Sequence, residues 1–371
     1  MANHPLSQEA IDEAVAARAQ YGSMKEAAEA LNMNYRTLQS RLQMADRDPA
    51  VAEGMQAANT GIVPSVLWVK TKNEDGTSFS AMIRPGREIE DIAERVKTAL
   101  GELPAIPAIE APEAADADLV TLYPIADAHI GMQAWGRETG EDYDTAIATA
   151  RLQEWIGRCV AASPPSETAI ILDVGDLLHA NDQTSQTPKS KHVLDVDTRF
   201  FRTVEATIEA MATAVELALA KHQKVIVRLI PGNHDPEAYL IILFALAERY
   251  RLNSRVEVQK EPGEFFAYEF GKVMIAAHHG DKAKAERMVL FLADEFPDMW
   301  GRTRHRFLWT GHLHHHKSQD IGGVKHEQLR AVTTRDAYAA SHAYCARAQL
   351  QAITYHRDHG EIGRCSFGAA A

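Results

Sequence analysis

The chain has 371 residues, 46% of them hydrophobic and 24% charged, with a formal net charge of −12. That length exceeds one ordinary core, so two or three domains are expected, with the composition of a soluble globular protein. The acidic balance excludes a protein that coats nucleic acid by electrostatics alone, and three cysteines at unrelated spacings (Cys159, Cys345, Cys365) exclude a disulfide framework or a zinc knuckle.

The N-terminus, MANHPLSQEAIDEA, has neither the basic nor the apolar region of a signal peptide. No apolar run reaches the roughly 18–20 residues of a membrane span. Together with free thiols, this gives a cytoplasmic protein with no membrane partner as the expectation. Residues 1–50 (net −2) read as three short helices. Ser7 can cap the first, to about Tyr21, with Ile11, Val15 and Ala16 on one face, and Gly22 stops it. Ser23 and Glu26 form a capping box for the second, which ends near Leu31. Asn32, Met33 and Asn34 make a tight turn, and a third helix from Tyr35 turns Leu38 and Leu42 inward. Small Ala27 and Ala28 permit a close helix crossing. The pattern resembles a helix-turn-helix, whose last helix enters the major groove of DNA. Its exposed face would offer Arg36, Thr37, Ser40 and Arg41, with no acid between Ala30 and Ala45. A helical bundle used for dimerisation or docking shares that pattern.

Residues 51–118 carry a net −6. SVLWVKTKNEDGTSFSAMIRPG (65–86) alternates apolar and polar residues around Asn73-Glu74-Asp75-Gly76, a β-hairpin signal. An amphipathic helix over 87–103 follows, so 51–103 reads as a hairpin-plus-helix connector. A linker rich in Ala, Pro and acid (104–118) then separates it from 119–371.

From Leu119 the pattern becomes α/β. Continuous apolar strands such as LVTLYPIAD and ETAIILDVGD alternate with helices, one of them at about 143–162. This implies sheets buried under helices, with the chemistry at strand C-termini. Five strand ends carry metal-type ligands: Asp127-Ala-His129, Gly175-Asp176, Gly232-Asn-His-Asp235, His278-His279-Gly280 and Gly311-His-Leu-His314. Carboxylate oxygens, one amide oxygen and several imidazoles suit a pair of ions such as Mn²⁺, Fe or Zn²⁺, and the lack of cysteine argues against structural zinc.

The order DxH … GD … GNHD … H … GHxH resembles the signature of calcineurin-like metallophosphoesterases over about residues 119–320. The resemblance implies a four-layer α/β/β/α sandwich and a two-metal hydrolase in which a metal-bridging hydroxide attacks phosphorus. By the same resemblance one ion would take Asp127, His129 and His314. The other would take Asn233, one of the 278/279 pair and His312, with Asp176 bridging both. His234 would aid the leaving group and Asp235 would orient it through the other ring nitrogen; a helix N-cap before Pro236 is the plainer role for Asp235, and the two are compatible. Only one of His278 and His279 can point into the site, because successive strand side chains face opposite ways; the family's usual His-Gly favours His279. GDLLHAND, with His179 where the family usually has an acid, is similar to the SbcD-type DNA-repair nuclease branch. His179 and Asn181 would then support the ligands or face substrate.

Two further stretches are candidates for holding substrate. One is the polar loop 184–200 with Lys189, Lys191 and Arg199. The other is TTRDAYAASHAYCARAQ, with Arg335, Tyr338, His342, Tyr344 and Arg347. The leading expectation is a manganese-dependent phosphodiesterase or nuclease acting on DNA, resembling phage or prophage proteins that fuse DNA-binding and phosphoesterase parts. The alternatives are a phosphomonoesterase of phosphoproteins or nucleotides that uses its N-terminal part for recruitment, and a DNA-binding regulator on a degenerate scaffold. A homodimer is compatible with either.

Overall fold

The computed structural model describes residues 8–21, 23–45, 67–72, 78–83 and 109–368, and the chain divides into two compact units, 1–106 and 107–371. The helix expected over 87–103 and the turn at Asn73–Gly76 lie outside the described residues.

In the first unit, α1 (Gln8–Gln20), α2 (Met24–Ala30) and α3 (Tyr35–Ala45) pack around Ala14, Ala17, Ala27, Ala28 and Leu38. The capping box is present in full. Ser23 Oγ accepts from Glu26 N, and the Glu26 carboxylate accepts from Ser23 N. Asn34 caps α3, its Oδ1 accepting from Thr37 N at 2.8 Å. The inward face of α1 is Ile11, Ala14 and Ala17, whereas Ala16 is exposed, because α2 and α3 approach closely enough to need the smaller side chains. Arg41 departs from expectation. It turns back onto α1, with Nη1 3.4 Å from the Ala10 carbonyl and 3.7 Å from Glu13. Of the two arginines expected on the outer face of α3, only Arg36 is exposed. β1 (Leu67–Lys72) and β2 (Ser78–Ile83) form an antiparallel pair in register Leu67↔Ile83, as the alternating pattern requires.

The second unit holds two sheets. The first has the order β13-β12-β3-β4-β5-β6, built from β3 (Asp116–Ile125), β4 (Ser166–Asp173), β5 (Lys224–Leu229), β6 (Val256–Val258), β12 (Gln349–His356) and β13 (Gly360–Gly368). β3 to β6 are parallel, and the C-terminal hairpin β12–β13 adds antiparallel to β3. The second has the order β10-β11-β9-β8-β7: β7 (Phe266–Phe270), β8 (Val273–Ala277), β9 (His305–Thr310), β10 (Lys317–Ile321) and β11 (Val324–Gln328). The three inner strands are parallel and the edges antiparallel.

Alternation puts Leu122, Ile170, Leu172 and Ile226 of one sheet against Val273, Ile275, Phe307 and Trp309 of the other. The opposite face of the first sheet (Tyr123, Ile171, Val227) is covered by α5 (Thr145–Ala162), α6 (Phe200–Leu219) and α7 (Tyr239–Arg249), after a single-turn α4 (Gly136–Thr139). The outer face of the second sheet (Met274, Ala276, Leu308) meets α8 (Ala285–Glu295), which is followed by α9 (Pro297–Arg302). The result is the expected four-layer α/β/β/α sandwich. The expected linker ends earlier than its composition suggested. Asp116 already belongs to β3, and the carbonyls of Ile109 and Pro112 accept from Arg255 and Gln223.

Candidate metal centre

The parallel strands of both sheets deliver their C-termini to one place, as open α/β sheets do. Loops after β3, β4, β5, β8 and β9 bring Asp127, His129, Asp176, Asn233, His279, His312 and His314 together. Two triads result: the ligand atoms of Asp127, His129 and His314 lie within 4.8 Å of one another, as do those of Asp176, His279 and His312. Asp176 joins them. Its Oδ2 is 3.3 Å from His279 Nε2 and 3.8 Å from His129 Nε2, while its Oδ1 accepts from His234 N at 2.7 Å. Asn233 Oδ1 stands 3.2 Å from His279 Nε2, inside the second triad. Of the histidine pair, His279 faces the cluster. Its Nδ1 donates to the Val174 carbonyl, which leaves Nε2 as the free ligand atom. His278 faces away, toward Phe265 and Glu264.

Local sequence explains how such polar loops close so tightly. Asp127, His129, Asp176, His312 and His314 all have φ between 45° and 69°, the left-handed region that non-glycine residues avoid. Such strain persists only where surrounding structure over-determines it, and it marks functional sites. The glycines beside them allow the approach. A Cβ on Gly311 would come within 2.6 Å of Asp127 Oδ2, and one on Gly232 would overlap Asp176 Oδ1. Asp127 also accepts from His312 N at 3.0 Å.

Asp127 and Asp176 are 0% and 1% exposed, and their ion-pair partners among the described residues are histidines, with no Lys or Arg. Burial would raise the Asp176 carboxyl, but His279, then His234 and His129, hold it well below the carboxylate range. Burial would lower His279, yet the facing Asp176 raises it to about 10. His129 is pushed well below the ordinary imidazole range by burial and by His234. Buried carboxylates facing several imidazoles, set on a strained frame and paired with no Lys or Arg among the described residues, fit divalent cations. The donor set is rich in nitrogen and free of sulfur.

Two expected roles change. The ring of His234 is not oriented by Asp235; its Nδ1 donates to the His179 carbonyl at 2.8 Å. Asp235 is fully buried and accepts instead from the backbone N–H of Leu178 (2.9 Å) and Gly232 (3.1 Å), tying two ligand loops together. A carboxylate reaching its own ring neighbour would have left those two buried donors unpaired. Nor is Asp235 a side-chain cap; burial, then Asp176, lifts its carboxyl to about 7.

His179 is closer to the centre than its sequence position suggested. Its Nδ1 is 3.2 Å from His129 Nδ1, and the nitrogens of His129, His179 and His234 form a third group within 4.8 Å. Burial, then His234, drives it down to about 3. Asn181 works on the backbone, its Oδ1 accepting from Glu237 N and Ala238 N ahead of α7. The segment 331–348 forms one wall of a cavity of about 540 Å³ over the clusters. Exposed His316 pairs with buried Glu327 at 3.2 Å.

No family model and no curated protein matches the chain. Among solved structures it is similar to a conserved uncharacterized protein, a predicted phosphoesterase, from Streptococcus pneumoniae, at 13% identity over 68% of this chain and 98% of that one (TM-score 0.29). It is similar to a novel archaeal phosphodiesterase at 11% identity over 67% and 99% (TM-score 0.35). It is also similar to Entamoeba histolytica Vps29 complexed with zinc, at 12% identity over 67% and 98% (TM-score 0.27).

Proposed function

We propose that this protein is a two-metal-dependent phosphodiesterase acting on DNA. The observation that carries the reading is the Asp176 carboxylate, which belongs to one triad at the strand C-termini and lies 3.8 Å from His129 of the other. Asp127, His129 and His314 would hold one divalent ion and Asn233, His279 and His312 the other, with Asp176 common to both. When bound, the pair supplies positive charge to a phosphoryl group and activates water for its attack. His234 lines the cavity with Nδ1 committed to the His179 carbonyl, so Nε2 is the atom that passes a proton to the departing oxygen. Asp235 keeps the loops carrying Leu178 and Gly232 at the spacing this needs. The three N-terminal helices would bring the enzyme to duplex DNA, with Arg36 on the outer face of α3.

The inward turn of Arg41 thins that basic face and favours a second reading, a phosphomonoesterase whose N-terminal unit serves recruitment by protein. Metal-stripped protein should be inactive. Mn²⁺ should restore turnover better than Mg²⁺, since imidazole favours the later, softer ions. Measuring single-stranded DNA, duplex DNA, a phosphodiester dye and a phosphomonoester dye in parallel decides between the readings. Faster turnover of the monoester would reverse their order, and rescue by Mg²⁺ as good as by Mn²⁺ would count against the imidazole-rich two-metal site.

A further inference from the structure

The cavity wall formed by 331–348 has a chemistry that metal binding does not explain. Asp336 caps a short helix, α10 (Ala337–Ser341), its carboxylate accepting from Ala339 N at 2.7 Å. Ala343 then turns the chain at φ 58° and sets Tyr344 on the same wall as Tyr338. The rings form a row. His192, from the 184–200 loop, meets Tyr338 at 5.6 Å between centroids; Tyr338 meets His342 at 4.0 Å, and His342 meets Tyr344 at 6.0 Å. Tyr338 and Tyr344 line the cavity yet are 50% and 57% exposed, while the two histidines brace them from beside and between. Single exposed aromatics are ordinary. Four in a row at the mouth of a phosphate-type centre are not.

Charge is placed to match. Arg335 and Arg347 line the same cavity. The Arg335 side chain donates to the Thr139 carbonyl, which fixes it, whereas Arg347 makes no side-chain hydrogen bond or ion pair among the described residues. Exposed rings beside guanidinium groups are what unpaired bases on a phosphate backbone require: each base has a face to stack, and each phosphate accepts from an arginine. In a duplex those faces are already covered by neighbouring bases.

We infer that the 334–347 wall is a stacking platform for the bases of single-stranded nucleic acid, with Tyr344 the principal ring and Arg347 taking an adjacent phosphate. The inference rests on the phosphodiesterase reading for the direction in which the strand enters the cavity. Its test uses the full chain and two labelled octamers with phosphorothioate linkages, one of thymidines and one of abasic sites, with binding followed by fluorescence anisotropy. The two probes carry the same charge, so the difference reports the bases. The thymidine octamer should bind about tenfold tighter or better, Tyr344→Ala should erase most of that preference, and Tyr344→Phe should keep it. Equal binding of the two octamers, or a preference that survives Tyr344→Ala, would overturn the platform. Hydrolysis of a phosphodiester dye by the unmodified chain reads the parent hypothesis separately. Turnover without base preference sinks the platform alone; base preference without metal-dependent turnover sinks the phosphodiesterase reading and leaves the platform standing.

Discussion

His234 and Asp176 sit 2.7 Å apart through one backbone N–H, yet their side chains have separate tasks. Replacing His234 with Ala should leave metal content intact, because His234 lies outside the two triads that Asp176 links and its Nδ1 is taken by the His179 carbonyl, while turnover falls on the order of 10²–10³. Asp176→Ala should instead deplete metal, since that carboxylate faces His279 of one triad and His129 of the other. Elemental analysis of the two variants beside their turnover checks the division, and equal depletion would refute it. A second residue acts far from this chemistry. His222 is fully buried, with Nε2 2.8 Å from Tyr123 Oη and Nδ1 2.8 Å from Ser166 Oγ and 3.0 Å from the Ser166 carbonyl. That carbonyl can only accept, so Nδ1 carries the proton and Tyr123 donates to Nε2. Burial drives His222 from 6.5 to about 4. Between those values the unfolded chain takes up a proton that the folded one refuses, so stability falls as pH drops from 6.5 toward 4. The ceiling of that loss is about 3 kcal/mol. Thermal melts at several pH values should show a shallower acid limb in His222→Gln than in the parent chain.

Elements explain which of these features were legible beforehand. Local signals held. Ser23–Glu26 announced α2, alternation announced the β1–β2 pair, and continuous apolar runs ending in acid announced the strands whose tips carry the candidate ligands. The alternation rule also shows why one of His278 and His279 had to leave the site. Long-range choices were not readable. The pattern places Arg41 on a helix face but cannot say that Ala10 and Glu13 will draw it inward, because a long side chain follows whichever acceptor the fold brings near. Asp235 misled for the same reason, its partners lying 57 and 3 residues away. The distinction is measurable in α3. Arg36→Ala should weaken duplex binding and lower its salt slope by about one, with little effect on melting. Arg41→Ala should act chiefly on the stability of the helical unit, leaving the salt slope nearly unchanged. Parallel DNA titrations and melts separate the two.

At the scale of the whole molecule, the division at Ile106/Pro107 leads to the expectation that the second unit folds alone. A chain beginning at Pro107 should keep full turnover on a phosphodiester dye and lose the salt-dependent part of duplex binding. One beginning at Ala115 should melt several degrees lower, because Arg255 and Gln223 lose the Ile109 and Pro112 carbonyls. Equal melting of the two would show that residues 107–114 contribute nothing. The sandwich was foreseeable from its alternating strands and helices; the neighbour of β3 was not, since sequence pattern does not reveal pairing across more than two hundred residues. That neighbour has a consequence for biosynthesis. Every candidate ligand has been translated by His314, but β3 waits for β12, which begins at Gln349, to cover its open edge. Until β12 leaves the ribosome, the nascent chain carries an unpaired β3 edge able to template pairing with other chains. A premature stop after His314 should therefore yield aggregate in place of a shortened soluble chain, which sedimentation of the truncated product checks.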